Sequence, residues 1–206
     1  RMVVSVQIAP PDFDRMFGAL PATSELVPVA EATPPLGPTR EVIQMDVPQS
    51  VAQFGHKGIG RKDEDFIPAY VLNYIIGGGG FSSRLMEEVR EKRGLAYSVY
   101  SNLYPYEHGA VFIGNVATKN EAVGQSLQVI EDELKRLAEQ GPTEQEFEDG
   151  KAYLTGAYAL RFETSSSIAN QLLWIQIEDL GIDYVNKRNV LVDAVKMDDI
   201  KRVAKR

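Results

Sequence analysis

Gly79-Gly80-Phe81-Ser82-Ser83-Arg84-Leu85-Met86-Glu87-Glu88-Val89-Arg90-Glu91-Lys92-Arg93-Gly94-Leu95-Ala96-Tyr97-Ser98-Val99 is the stretch on which the reading of the chain turns. From about Ser82 to Arg93, Leu85, Met86 and Val89 fall at helical spacing. Gly94 then supplies a residue that can close the helix in the left-handed conformation. From Leu95 the period changes to two. Leu95 to Tyr104 and Gly109 to Ala117 alternate, and Pro105-Tyr106-Glu107-His108 between them predicts an antiparallel hairpin. On the N-terminal side, Phe66, Tyr70, Leu72 and Ile76 mark a helix from Asp63 to Ile76, stopped by Gly77 to Gly80.

Beyond the hairpin, Thr118-Lys119-Asn120-Glu121 reads as a capping box before Val123, Leu127, Ile130, Leu134 and Leu137, and Gly141-Pro142 ends that helix. Thr143 and Glu146 form a second box for a helix reaching about Leu160. Further helices are expected over Ser165 to Leu180, Asp183 to Val192 and from Asp198 onward. Towards the N-terminus, residues 1–8 read as a strand broken by Pro10 and Pro11, and Phe13 to Leu20 as one or two helical turns. A Pro-rich connector, assigned to 21–40 with its prolines between Pro21 and Pro38, leads to strands at Glu41 to Val47 and Ser50 to Ile59. Strands flanking runs of helices, without βαβ alternation, imply an α+β fold with an antiparallel sheet covered on one face. We expect one domain over 1–206. The last helical pattern lacks a Gly or Pro stop, so a piece of a longer protein is expected.

Composition narrows the chemistry. A net charge of −7 argues against nucleic acid as a partner, because phosphate contacts need clustered Lys and Arg. Without cysteine there is no disulfide, thiolate-bound zinc or thiol catalysis. No apolar run approaches the ~20 residues of a membrane-spanning helix. The two histidines, His56 in a strand and His108 in a turn, stand outside any His-x-x-Glu-His zinc motif and read as surface or strand residues. No Gly-x-Ser-x-Gly elbow is present. The glycine run follows a helix and lacks a following Gly-Lys-Ser/Thr, so it is either a flexible turn or a place of close backbone approach. Glu144, Glu146, Glu148 and Asp149 read as a solvated helix start, and Tyr97, Tyr100, Tyr104 and Tyr106 as sheet-packing residues.

The stretch 79–99 closely resembles the C-terminal, metal-free half of pitrilysin/insulinase zinc metallopeptidases, in particular the mitochondrial-processing-peptidase-like branch. The Val-rich start, Phe17-Gly18-Ala19-Leu20-Pro21, the connector and the helix–hairpin–helix order fit as well. The resemblance implies a clam shell of two homologous halves, with zinc on a His-x-x-Glu-His helix of the other half. It implies that Arg90 and Tyr97, seven residues apart, close over a bound polypeptide and stabilise the oxygen of the cleaved carbonyl. Arg90 ends a helix, Gly94 turns the chain and Tyr97 starts the next strand, so both side chains can point the same way. In the bland alternative Arg90 pairs with Glu87 or Glu88 and Tyr97 packs in the sheet.

The resemblance also makes Gly77, Gly78, Gly79, Gly80, Phe81 and Ser82 a substrate-recognition loop, shorter than its mitochondrial counterpart. No cofactor is expected in this chain. Zinc belongs to the partner, a homologous zinc-binding domain or subunit, and the chain alone is expected to be inactive. The resemblance tilts the compartment towards the periplasm without excluding the cytoplasm. Two competing readings are a non-catalytic scaffold subunit of a peptidase-like complex and a metal-independent peptide-binding module.

Overall fold

The computed structural model describes residues 10–21, 23, 25–32 and 37–206, so the strand expected over 1–8 lies outside them. The chain divides into two units, Arg1–Ala30 and Glu31–Arg206. In the first, helix α1 spans Pro10–Phe17. It starts earlier than expected, because proline, which has no N–H to leave unpaired, is well suited to a helix's first turn. Asp12 near its start and Arg15 near its end form an exposed ion pair.

The second unit is built on a three-stranded antiparallel sheet in the order β1-β3-β2, with β1 at Gln49–Lys57, β2 at Ala96–Tyr106 and β3 at Gly109–Lys119. The predicted hairpin forms between β2 and β3, its turn tightened to Glu107 and His108. The strand expected at Glu41 to Val47 does not form: Val42, Ile43 and Met45 are exposed and the segment joins no ladder.

Alternation sorts the faces. Across the inner one, Ala52 aligns with Val116 and Val99, and Phe54 with Gly114 and Ser101. Gly114 is required there, since an added Cβ would lie 2.1 Å from the Phe54 ring. Tyr97, Tyr100 and Tyr106 are exposed, correcting their expected role as packing residues. Tyr104 and Tyr106 stack 5.8 Å apart.

Helices α2 (Phe66–Asn73), α3 (Val123–Gln140), α4 (Glu144–Gly156), α5 (Ser165–Ile177), α6 (Tyr184–Asp193) and α7 (Met197–Ala204) complete the unit. The core joins Val71, Leu72 and Ile75 to Leu85 and Val89, to Val99 and Val116 of the sheet, and to Ile130, Leu137 and Ile200. Ile130 and Leu137 are buried in α3, with Leu127 and Leu134 packed beside them along the expected stripe.

Of the two capping boxes, Thr143/Glu146 forms and the one at Thr118 does not. Thr118 stays in β3 and its hydroxyl donates to the Leu95 carbonyl, so α3 starts only at Val123 after a 3-10 turn over Asn120–Ala122. α4 runs on as a 3-10 turn over Ala157–Phe162.

Candidate functional site

Two widened helical turns bracket the glycines. α2 passes into a π-helical turn at Tyr74–Gly78, and a second occupies Met86–Glu91 inside the diagnostic stretch. Such turns give up regular hydrogen bonding and are frequent at functional sites. Gly77 is buried against β2, where an added Cβ would meet the Ser101 hydroxyl at 2.5 Å and its backbone nitrogen at 2.6 Å. Ser101 in turn donates to Asn73 Oδ1 at 2.8 Å. Gly80 has φ +59, the left-handed region, and opens a short 3-10 turn over Gly80–Ser82. Of the two readings of the run, close approach therefore explains Gly77 and turn geometry explains Gly80. The bend carries Phe81 and Ser82 outward, while Ser83 is buried with its hydroxyl on the Gly80 carbonyl at 2.7 Å.

The inner side of the following helix holds two buried charges. Arg84, only 7% exposed, makes a bidentate pair with Glu146, whose carboxylate also accepts the Thr143 backbone N–H and so completes the α4 cap. Burial alone would raise the Glu146 pKa; the bonds from Arg84 and Thr143 outweigh it and hold the group below the usual carboxylate range. Glu88, also buried, takes Lys92 Nζ at 2.7 Å and Arg93 Nη1 at 2.6 Å. Desolvation opposes its ionisation, and these two bonds reverse the balance and lower its pKa. Glu87 also faces Lys92, at 3.0 Å. Neither acidic residue is left for Arg90, so the bland alternative does not form.

Arg90 comes off the last π-helical positions, just before Gly94 turns the chain with φ +61. Its Cζ lies 4.8 Å from the Phe81 ring centroid and 5.4 Å from that of Tyr97. Among the described residues its one ion pair is with Glu91, at 3.5 Å. Tyr97 occupies a β-bulge: Ala96 pairs with Thr118 and Ser98 with Ala117, leaving Tyr97 as the extra residue. A bulge re-aims its side chain, and Tyr97 is accordingly 77% exposed. The structure thus gathers Arg90, Tyr97 and Phe81 at one surface, with Ser82 beside Phe81. Gly77 is instead buried in the helix–sheet contact.

The Arg84–Glu146 and Glu88 pairs were missed at the sequence level. The available signal was that Arg84 and Glu88 stand one helical turn apart, beside the inward-facing Leu85 and Val89. His56 is exposed and its ring stacks on Phe112 at 5.1 Å, and His108 sits in the hairpin turn 3.7 Å from Glu31. Among the described residues no three His, Asp or Glu side chains converge as metal ligands, so these residues do not fit a zinc site. No helix among them is long and apolar enough to cross a membrane.

Comparison with known proteins gives a consistent picture. The profile described as the peptidase M16 inactive domain matches residues 7–154. An uncharacterized zinc protease of Streptomyces coelicolor is 34% identical over 168 residues, covering 80% of this chain and 36% of that protein. A non-peptidase homolog of Helicobacter pylori is 37% identical over 135 residues, covering 64% of this chain and 31% of that protein. The chain thus spans about a third of the length of these relatives. A crystal structure of a peptidase M16 inactive domain from Pseudomonas fluorescens superimposes with a TM-score of 0.71 at 30% identity, covering 78% of this chain and 38% of that one.

Proposed function

The chain belongs to the peptidase M16 family as an inactive domain of a zinc-protease-like protein, and from that premise we propose that it clamps polypeptide substrate and supplies Arg90 and Tyr97 to hydrolysis at a zinc centre in a homologous partner domain or subunit. The observation that carries this reading is the guanidinium of Arg90 resting on two exposed rings, Phe81 and Tyr97, instead of being locked into the buried ion pairs beneath it. An aromatic face holds a guanidinium in place without taking its N–H donors in strong hydrogen bonds. The Tyr97 hydroxyl likewise has no partner among the described residues, so both groups can donate outward.

Attack on a peptide carbonyl places negative charge on its oxygen. Donors aimed at that oxygen stabilise the transition state more than the ground state, one of them typically by ~3 kcal/mol. Phe81 and Ser82, on the bend after the glycines, would line the path of an extended substrate. Strand addition to a sheet edge of the catalytic half would hold the rest of it. In this reading zinc is held entirely by the partner.

Arg90→Ala and Tyr97→Phe, each in the parent protein with its zinc half, test this on a fluorogenic peptide. Turnover is expected to fall at least ~10-fold in each, chiefly in kcat. Unchanged rates in both would remove the catalytic assignment.

The relative called a non-peptidase homolog favours a second reading, in which the domain serves as a non-catalytic partner subunit. Metal analysis of the purified parent complex separates the two: stoichiometric zinc on a His-x-x-Glu-His helix supports the peptidase, and its absence supports the scaffold.

A further inference from the structure

Every buried charge near the candidate site has a counter-charge. Arg84 has Glu146, Glu88 has Lys92 and Arg93, and Asp65 under α2 has Arg202 and Arg206. Arg188 of α6 departs from this pattern. It is 5% exposed, yet its partners are the Leu154 carbonyl, Asn189 Oδ1 at 2.8 Å and the Tyr70 hydroxyl at 3.2 Å. Its guanidinium also faces the rings of Tyr158 at 4.7 Å and Tyr70 at 5.4 Å. All of these are neutral, and among the described residues no carboxylate pairs with it. A guanidinium held away from water without an anion is an arrangement protein interiors normally avoid.

Arg188 lines a cavity of about 330 Å³ between α2, α5, α6 and the 3-10 turn after α4. Two further arginines line it. Arg61 donates to the Tyr184 hydroxyl at 2.8 Å and rests 4.4 Å over the Phe66 ring, again without a carboxylate. Arg161 is exposed and has no partner among the described residues. The hydroxyl of Tyr158, a residue 7% exposed on the same wall, is buried without a hydrogen-bond partner among the described residues. Burial pushes that phenol's pKa up, so it stays a donor at neutral pH. Unused donors therefore gather around one space large enough for a ligand, since such sites begin at about 300 Å³.

We propose that this cavity binds a small organic carboxylate with an apolar body, its anionic group held by Arg188, Arg161 and the Tyr158 hydroxyl. The body would lie on Trp174, Ile67 and Leu180, which supply the apolar wall. Glu178, the one acidic lining residue among those described, disfavours a doubly charged phosphate at the same place. The proposal uses none of the residues of the Arg90 surface and stands or falls separately from it.

Trp174 is the chain's single tryptophan, so its fluorescence reports on this cavity directly. The chain is titrated with N-acetyl-L-phenylalanine, with its uncharged amide and with inorganic phosphate. The acid is expected to give a saturable change in emission and to raise the melting temperature, because only the folded state binds it. The amide is expected to bind about ten-fold more weakly, the size of one lost charge-assisted hydrogen bond. Arg161→Gln, at an exposed position that leaves folding intact, is expected to weaken the acid by a similar factor, and Tyr158→Phe to weaken it less. Equal binding of acid and amide, no saturable response to the acid, or full affinity in Arg161→Gln would overturn the proposal. Phosphate binding as tightly as the acid would overturn the organic ligand class.

Discussion

The segment from Gly80 to Tyr97 has two sides that use the same residue types for opposite ends. On the inner side Arg84 and Glu88 are buried and fully matched, Arg84 by Glu146 and Glu88 by Lys92 and Arg93. On the outer side Arg90, six residues after Arg84, rests on Phe81 and Tyr97, with Glu91 as its one ion-pair partner among the described residues. A buried charge must be neutralised where it sits, which fixes it to the fold. A charge held by aromatic faces at the surface keeps its donors free for another molecule. The sequence pattern of the stretch does not separate these cases; burial does.

The strongest way to break this contrast is to remove Arg84. Arg84→Met leaves Glu146 partly buried without its partner and weakens the cap of α4, so a loss of about 3–5 kcal/mol is expected in urea denaturation. A loss below about 1 kcal/mol, the size of a surface ion pair, would show that the inner side carries no more of the fold than the outer. Gly77→Ala probes the contact that seats the bend. Its methyl group would be pressed into Ser101 of β2, for an expected cost of about 1–3 kcal/mol. Wild-type stability there would make the glycine run a mere turn.

Acid sharpens the same contrast. Glu146 and Glu88 have folded pKa values below the ordinary 4.5. Their stabilisation is therefore complete above the unfolded value and is lost as pH falls through the folded one. Urea midpoints measured from neutral pH downward should drop steeply below about pH 4.5, and less steeply in Glu146→Gln and Glu88→Gln. An unchanged slope in both variants would mean that these bonds do not bias protonation.

How much of this was legible in the sequence follows from how local each signal is. The hairpin, the α3 stripe and the Thr143/Glu146 cap rest on neighbouring residues and could be read directly. Thr118 misled because a Ser/Thr-x-x-Glu pattern carries no information about the strand that claims its hydroxyl, here through the Leu95 carbonyl. Glu41 to Val47 reads as a strand but pairs with no strand among the described residues, and pairing is a long-range property. The spacing of Arg90 and Tyr97 was visible, whereas the bulge that turns Tyr97 outward depends on the register of β2 against β3. Nothing local in the sequence marks Arg188, because only the packing of α6 against α4 and α2 buries it.

The smallest expected effect is the most informative. Arg90→Ala removes a half-exposed side chain whose ion pair with Glu91 is of the kind that contributes little. Its cation–π contacts with Phe81 and Tyr97 are each worth about 0.5–1 kcal/mol at an exposed site. The urea-derived stability should thus fall by about 1–2 kcal/mol, short of the loss in the Arg84 variant. Arg90→Lys should be as mild, since an ammonium also rests on aromatic rings, yet it loses the planar fork of donors that a carbonyl oxygen would engage. A fold left nearly intact by both substitutions, with turnover of the assembled protein reduced by both, would assign the outer side to function and the inner side to structure. If Arg90→Ala unfolds the chain as readily as Arg84→Met, the two sides share one structural duty and the division between them fails.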